Sequence, residues 1–401
     1  MTQRRVPALF MRGGTSKGVF FLERDLPEDW AEREALLLRI LGSPDPYGTQ
    51  IDGMGGASSS TSKVAIIGES FRDDCDVDYL FGAVAIDRPL IDWSGNCGNL
   101  TAAVGPFAIA KGLVRAPREG VAVVRIWQAN LGAKIIARVP VREGAPLEAG
   151  DFILDGVAFP SAEIGLEFID PADASGGAFP TGKPLDRLEV PGLGRLELSL
   201  VSAGNPAVFI DAAALGLSGT ELPAELNADS KLLTRFEVIR SHAAVAMGLA
   251  ATPEEATRDR PATPKIAIVG PPATYRSTAG KTIEAASIDL VARIVSMGRV
   301  HHAMTGTGSI ALAVAAAVPG TTVSRAARRG SATQGASVEP VAIGEDGLAA
   351  SEPSLLRIGH AAGSMAVGAE VGQSGGEWTV RKVTMSRSAR ILMSGFVHAP
   401  R

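Results

Sequence analysis

The chain has 401 residues, of which 46% are hydrophobic and 5% aromatic, and its formal net charge is −4. This length suits two domains of about 150–200 residues each, and the composition is that of a folded protein rather than a disordered or fibrous one. Charged residues of both signs are spread along the chain, so no charged patch argues for nucleic acid or a membrane surface.

Short runs that are β-branched or alternate in polarity predict a chain rich in antiparallel strands. The predicted strands are Val6–Met11, Gly18–Leu22, Lys63–Ile67, Asp76–Ala85, Val121–Gln128, Lys134–Val141, Gly194–Val201, Lys265–Val269 and Glu377–Ser386. The predicted helices are Asp29–Leu41, Leu100–Leu113, Ala228–Met247 and Ser309–Val318. The second and fourth helices are almost wholly apolar, and such a helix is buried on every side. A sheet curled around each of them is the simplest way to bury them.

The cysteine content and the N-terminus indicate a reduced, cytoplasmic protein. Only Cys75 and Cys97 occur, and no signal-peptide-like apolar segment follows Met1. The aliphatic helix candidate Ile310–Val318 is about half the length that crosses a bilayer, so we expect no membrane span. The pair His301-His302 is expected on a strand, where adjacent side chains point in opposite directions, and we predict no metal site.

The two apolar helices stand in matching contexts, which indicates an internal duplication. Asp78 and Asp289 begin similar strand segments, and each segment leads to a polar turn and an apolar helix. We therefore expect Cys97 and Thr307 to occupy equivalent helix N-termini that face one shared cleft.

A Pro- and Gly-containing stretch at residues 180–191 indicates where the chain passes from one half to the other. We predict a first domain at residues 1–185, to which residues 386–401 return as a strand, and a second domain at residues 186–385.

Two Gly-rich polar clusters, Asp52–Lys63 and Ser94–Asn99, carry the candidate chemistry. The second cluster opens onto an apolar helix, so Cys97 lies where unpaired N–H groups favour an anion and lower the pKa of a thiol. The alternative for Cys97 is a small core residue. Lys63 precedes an apolar strand, where desolvation lowers the pKa of a lysine as a base requires; the alternative is an ordinary surface lysine.

Two further Gly-rich segments are candidate anion sites. Arg12–Gly18 follows a strand and forms either an anion-binding nest or a hairpin connection, and it lacks the spacing of a P-loop. Gly306–Ala311 matches the dinucleotide pattern G-x-G-x-x-A, but no βαβ unit accompanies it. We interpret it as a second helix N-terminus directed at a carboxylate.

Six segments together resemble the 2-methylaconitate cis-trans isomerase family of the methylcitrate route for propionate breakdown. They are Met11–Gly18, Gly42–Pro46, Ile51–Lys63, Asp76–Phe81, Asp92–Asn99 and Met385–Arg390. The shorter motifs are shared with aconitate isomerase, methylitaconate Δ-isomerase and oxalomesaconate tautomerase. Asp92–Cys97 and Arg125–Asn130 resemble the methylaconitate branch more specifically.

The resemblance implies an α+β fold of the diaminopimelate-epimerase type, with two similar domains that each curl a mostly antiparallel sheet around a central apolar helix. It implies Lys63 as the acid/base group, with Cys97 in the same pocket and as the alternative base. It also implies a small tricarboxylate substrate, no cofactor and no metal. The implied substrate-binding residues are Gly14, Thr15, Ser16, Ser62, Asn96, Gly98, Asn99, Met304, Gly306, Thr307, Gly308 and Ser309.

Two other function classes remain open from the sequence. An amino-acid epimerase or racemase of this fold uses a cysteine from each half, and Thr307 at the second position argues against that two-base reaction. A carboxylate-binding module without catalysis is the other class. Monomer and homodimer both remain open.

Overall fold

A computed structural model describes residues 3–172, 177–327, 354–374 and 377–400. Its contacts divide the chain into two units, which are residues 1–167 with 386–401 and residues 168–385. The domain bounds inferred from the sequence, 1–185 with 386–401 and 186–385, stay a prediction. None of the described helices is long and apolar enough to span a membrane.

The first unit is built from strands around two helices. Its elements are β1 (Gln3–Gly13), β2 (Ser16–Leu22), α1 (Trp30–Leu41), β3 (Lys63–Glu69), β4 (Val77–Val84), β5 (Ile91–Asp92), α2 (Thr101–Ala110), β6 (Glu119–Gln128), β7 (Ala133–Arg142), β8 (Ala145–Pro146), the start of β9 (Ile164–Ile169) and β21 (Ala389–Pro400). In the sheet, β1 pairs antiparallel with both β2 and β21. Strand β3 then runs parallel to β2 and antiparallel to β4, while β6 runs parallel to β4 and antiparallel to β7. The predicted return of the C-terminal segment as a strand is thus seen in β21.

The two faces of this sheet hold different helices. Val64 and Ile66 of β3 pack with α1 residues such as Leu37 in one hydrophobic cluster. Successive side chains of a strand alternate between faces, so Lys63 lies on the opposite face, toward α2. Phe20 of β2 also faces α2, where its ring centroid lies 5.8 Å from that of Phe107.

Helix α2 is the buried axis that the sequence predicts. Every residue from Thr101 to Ile109 is buried, and the helix contacts β1, β6, β7, β8 and β21. A Cβ on Gly105 would lie 2.7 Å from a methyl carbon of Val139, so this glycine lets the helix approach the sheet closely.

The second unit repeats this arrangement with additional helices. Its elements are β10 (Asp186–Val190), β11 (Gly194–Ala203), β12 (Asn205–Asp211), α3 (Pro223–Ala228), α4 (Ser230–Ala246), α5 (Pro253–Asp259), β13 (Lys265–Gly270), β14 (Tyr275–Arg276), β15 (Thr282–Ile283), β16 (Leu290–Ser296), β17 (Arg299–Val300), α6 (Gly306–Ala317), β18 (Ser354–His360), β19 (Gly363–Ser374) and β20 (Glu377–Arg387). The last two residues of β20, Ser386 and Arg387, belong to the first unit. Helix α4 packs Phe236 and Ile239 against Ile266 and Ile268 of β13. Helix α6 contacts β11, β12, β18 and β19, and its residues from Gly306 to Ala315 are buried.

The strand registers confirm the internal duplication. In the second unit β12 runs parallel to β13, β13 antiparallel to β16 and β16 parallel to β18, which repeats the β2–β3–β4–β6 order. An aspartate–arginine pair marks the same point in each unit: Arg125 Nη2 lies 2.6 Å from Asp76 Oδ1, and Arg357 Nη2 lies 2.6 Å from Asp289 Oδ1. The counterpart of Asp289 is therefore Asp76, and the expected match with Asp78 is wrong by two residues.

We expect Phe107→Ala to lower the free energy of unfolding by about 3–5 kcal/mol, because it leaves a cavity in a fully buried helix. Urea unfolding followed by circular dichroism measures the change. The matched control is Phe159→Ala, since that ring is 73% exposed and its loss should change the stability little. Equal effects of the two substitutions would contradict a core built on α2.

Candidate active site

Cys97 lies in the turn that leads into α2, as predicted. The backbone N–H of Thr101 donates to the Cys97 carbonyl at 2.9 Å, and the N–H of Leu100 donates to Cys97 Sγ at 3.4 Å. The thiol therefore caps the first turn, where the partial positive charge of the helix end favours the thiolate. Its side chain is buried, and neither Cys97 nor Cys75, the other cysteine, forms a disulfide.

Lys63 contacts this thiol directly. Its Nζ lies 3.1 Å from Cys97 Sγ and 3.1 Å from Ser16 Oγ, and it stands 5.6 Å from the centroid of the Phe81 ring. Lys63 is 7% exposed, so the surface-lysine alternative is wrong. Strand alternation brings its side chain to the α2 face, and an ammonium, a thiol and a hydroxyl are thus held together in a largely dry environment.

The Gly14–Ser16 turn packs against Asn99. Asn99 Nδ2 donates to Thr15 Oγ1 at 3.0 Å, and the Gly14 N–H donates to the Ser388 carbonyl at 2.8 Å. Gly14 has a φ of +51°, and a Cβ there would lie 2.5 Å from Asn99 Oδ1. Arg12 Nη1 donates to the Gly14 carbonyl at 3.1 Å, which fixes the turn from its other side. The turn is therefore a hairpin connection between β1 and β2 whose conformation requires glycine.

Ser62 and Asn96 are committed to local hydrogen bonds. The Ser62 hydroxyl donates to Gln50 Oε1, and that oxygen also accepts from the Ala57 N–H at 2.8 Å. Asn96 Oδ1 lies 3.4 Å from the Thr101 hydroxyl, which also donates to the Cys97 carbonyl at 3.0 Å. In this structure these two residues organise the segments that carry Lys63 and Cys97.

Arg387 lies beside this cluster, and the predicted set of site residues does not include it. Its Nε donates to Asn99 Oδ1 at 3.1 Å, and its Nη1 donates to the Ser386 carbonyl at 2.9 Å. Burial lowers the pKa of Arg387 to about 10, and interaction with Cys97 opposes that change, so the side chain stays cationic at neutral pH. The sequence signal for Arg387 was the Met385–Arg390 motif, which contains it and lies at the end of β20.

Helix α6 carries the predicted residues of the second unit in its first turn. Thr305 caps this helix: its Oγ1 accepts from the Gly308 N–H at 3.1 Å, and its carbonyl accepts from the Ser309 N–H at 3.0 Å. Cys97 makes the same two contacts in α2, so its counterpart is Thr305. The expected match with Thr307 is wrong, and a following glycine could not have corrected it, because Gly306 follows Thr305 and Gly308 follows Thr307. The predicted Met304, Gly306, Thr307, Gly308 and Ser309 are all buried.

The two adjacent histidines differ from the expectation. His301 and His302 follow β17 rather than lying on it, and their rings stack with centroids 4.6 Å apart instead of pointing in opposite directions. Within the described parts of the chain, no group of three or more His, Cys, Asp or Glu side chains is arranged to hold a metal ion.

Comparison with known proteins identifies the family. The sequence model described as PrpF protein matches residues 3–400. The chain belongs to the PrpF family. It is 53% identical, over 100% of its length and 98% of the relative's, to the 2-methyl-aconitate isomerase of Shewanella oneidensis.

Solved structures of PrpF-like fold agree with this assignment. The crystal structure of a methylitaconate-delta-isomerase shares 37% sequence identity with a TM-score of 0.74, covering 100% of this chain and 96% of that one. A probable proline racemase from Agrobacterium radiobacter K84 shares 13% identity with a TM-score of 0.51, covering 97% of this chain and 92% of that one. The second likeness shows the fold alone, and it confirms the predicted epimerase-like architecture.

We expect Gly14→Ala to destabilise the protein more than Gly112→Ala. Both glycines have positive φ, +51° and +71°, but a Cβ on Gly112 would meet nothing within 4 Å. The strain of a positive φ, about 1–2 kcal/mol, is therefore common to both substitutions. The clash with Asn99 should add about 1–3 kcal/mol at Gly14 alone. Urea midpoints of the two variants test this, and equal midpoints would mean that the turn does not pack on Asn99 as described.

Proposed function

We propose that the protein is a cofactor-independent isomerase that converts 2-methyl-trans-aconitate to 2-methyl-cis-aconitate by abstraction and return of a proton, as a step of the methylcitrate cycle in propionate catabolism. The observation that carries the proposal is the 3.1 Å contact of Lys63 Nζ with Cys97 Sγ at a helix N-terminus. It is supported by 53% identity over the whole chain to a relative named for this isomerisation.

The chemistry requires only a proton shuttle and charge stabilisation. Removal of a proton from the carbon vinylogous to a carboxylate gives a dienolate, in which the former double bond has single-bond character. Rotation about that bond and return of the proton yield the other isomer. The Lys63–Cys97 pair supplies the groups that move the proton, and it needs no electron or phosphoryl transfer.

Backbone amides are the proposed carboxylate ligands. The turn Gly14–Ser16 and the segment Asn96–Asn99 border the Lys63–Cys97 pair in the first unit. Oriented N–H groups in a water-poor site stabilise developing negative charge more than they do in water.

A sister reaction is the second candidate. The structure with a TM-score of 0.74 belongs to a methylitaconate-delta-isomerase, which favours an allylic isomerisation of a related acid at the same residues. Aconitate and 4-oxalomesaconate are the other members of this substrate class. All of them need the same proton transfer, so the substrate and not the mechanism separates the candidates.

We further propose that the protein works in the cytoplasm on a free small tricarboxylate, with no nucleic-acid partner. Neither cysteine forms a disulfide in the structure, which fits a reducing compartment. The proposed substrate is a water-soluble metabolite whose isomerisation calls for no second macromolecule.

Proton NMR of the purified protein with 2-methyl-trans-aconitate in D₂O should show conversion to the cis isomer together with deuterium at the allylic carbon. Deuterium enters because the abstracted proton exchanges with solvent before it returns. Turnover of methylitaconate, aconitate or oxalomesaconate in its place would assign the protein to the sister reaction. Binding without deuterium uptake at any pH would identify a non-catalytic binding module.

Lys63→Met should lower kcat by about 10²–10⁴-fold, the usual contribution of a group that takes part in proton transfer or stabilises the charge that develops in the transition state. Steady-state kinetics by the same NMR assay measures the loss. Lys134→Met is the matched control, because Lys134 forms a surface ion pair with Asp74 in the same unit. A Lys63→Met enzyme with nearly full turnover would remove Lys63 from the mechanism.

A further inference from the structure

Arg387 is a buried cation beside the Lys63–Cys97 cluster that the proposed mechanism has not yet used. It is 2% exposed, and its guanidinium reaches Asn99 of the turn that carries Cys97. A buried charge is costly unless hydrogen bonds or opposite charges compensate it. The Asn99 and Ser386 oxygens accept two of its N–H groups, and Cys97 is the group whose negative form would interact with its charge.

We propose that Arg387 is a positioning residue of the isomerase site, which holds Asn99 in place and keeps Cys97 as a thiolate beside the Lys63 ammonium. The proposal rests on the function proposed above and assigns the roles within the pair. Cys97 is then the base and Lys63 is the cation that stabilises the dienolate.

The position of the cations decides between the two protonation patterns of the pair. A neutral lysine beside a neutral thiol and an ammonium beside a thiolate hold the same number of protons. A third group with positive charge at the thiol side, as Arg387 has, favours the second pattern, and so does the N-terminus of α2. Tyr79 also interacts with Cys97, but burial raises the pKa of Tyr79 well above its usual value, so it adds no charge at neutral pH.

The substrate makes this second cation necessary. Three carboxylates near Cys97 would raise the pKa of the thiol and oppose its ionisation. Lys63 and Arg387 together place two positive charges against that effect. A thiolate that survives substrate binding is what a cysteine base requires.

The proton balance is simple in this assignment. The carbon–hydrogen bond breaks, its electron pair enters the dienolate, and its proton forms the S–H bond of Cys97. After rotation the S–H bond breaks and the proton returns to carbon, which regenerates the thiolate.

Asn99 is held by Arg387 on one side and bonds Thr15 on the other, so the same arginine also fixes the Gly14–Ser16 turn.

The pKa of the Cys97 thiol, measured in the full chain without substrate, tests the proposal. In a Cys75→Ser background Cys97 is the remaining thiol of the chain. Thiolate absorbance against pH, and the rate of alkylation by iodoacetamide with mass-spectrometric identification, give the pKa. We expect a value clearly below the ordinary value of about 8.5.

Arg387→Met should raise that pKa by about 1–3 units, the shift that loss of one nearby opposite charge produces. Arg387→Lys keeps the charge and should stay close to the parent value while weakening the Asn99 contact. Arg33→Met is the matched control, because Arg33 is also a buried arginine of the first unit and bonds Glu23 and the Pro27 carbonyl instead. The pKa of the Cys97 thiol in the Arg33→Met variant should equal that in the parent protein.

The outcomes separate this proposal from the proposed function. An unchanged thiol pKa in Arg387→Met, or a parent pKa at or above the ordinary value, would overturn the role of Arg387 even if the enzyme isomerises its substrate. The parent measurement decides the matter if Arg387→Met does not fold. A low thiol pKa that depends on Arg387, in a protein without turnover, would reject the function and keep Arg387 as the residue that maintains the Cys97 thiolate. Where turnover is present, the acid limb of kcat/KM should move to higher pH in Arg387→Met by the same amount as the thiol pKa.

Discussion

The contact between Lys63 and Cys97 depends on the burial of α2, and the chemistry proposed for the first unit depends on that contact. Because the helix is enclosed on all sides, its first turn ends in a water-poor environment where charges interact strongly. Strand β3 brings Lys63 to the α2 face, and the Gly14 turn and Arg387 close around Asn99. The hydrophobic core therefore serves the chemistry directly, since it holds a lysine beside a thiol and limits their access to water.

The second unit uses the same frame without the same chemistry. The matching registers place Lys265 at the start of β13 where Lys63 starts β3, and Lys265 is buried as well. Its Nζ donates to the Ala262 carbonyl at 3.0 Å, and Thr305 takes the position of the cysteine. Duplication thus kept a buried lysine and a helix cap in both units, while the thiol stands in the first unit alone.

Sequence patterns predicted the fold well because hydrophobic periodicity is a local property. The all-apolar runs after residues 99 and 308 gave both central helices, and the alternating runs gave most strands within a few residues. The two halves could not be matched by spacing, because the two strand–turn connections differ in length. The assumption of nearly equal spacing after Asp78 and Asp289 gave Thr307 as the counterpart of Cys97. Arg387 could not be placed from spacing, because Arg387 and Asn99, which contact each other, are 288 positions apart in the sequence. A contact of that separation is set by the pairing of β1 with β21, which no local pattern specifies.

The change from cysteine to threonine at the second cap bears on which reactions the frame can support. Racemisation at a carbon needs a base on each face, and a threonine hydroxyl is a far weaker acid than a thiol. In this chain the Thr305 hydroxyl also accepts a hydrogen bond from the Gly308 N–H, and no cysteine occurs after residue 97 in the sequence. Allylic isomerisation differs, because rotation within the dienolate, rather than delivery of a proton to the opposite face, changes the geometry. One acid/base pair in the first unit is then sufficient, which fits an isomerase that shares its fold with racemases and not their two-base reaction.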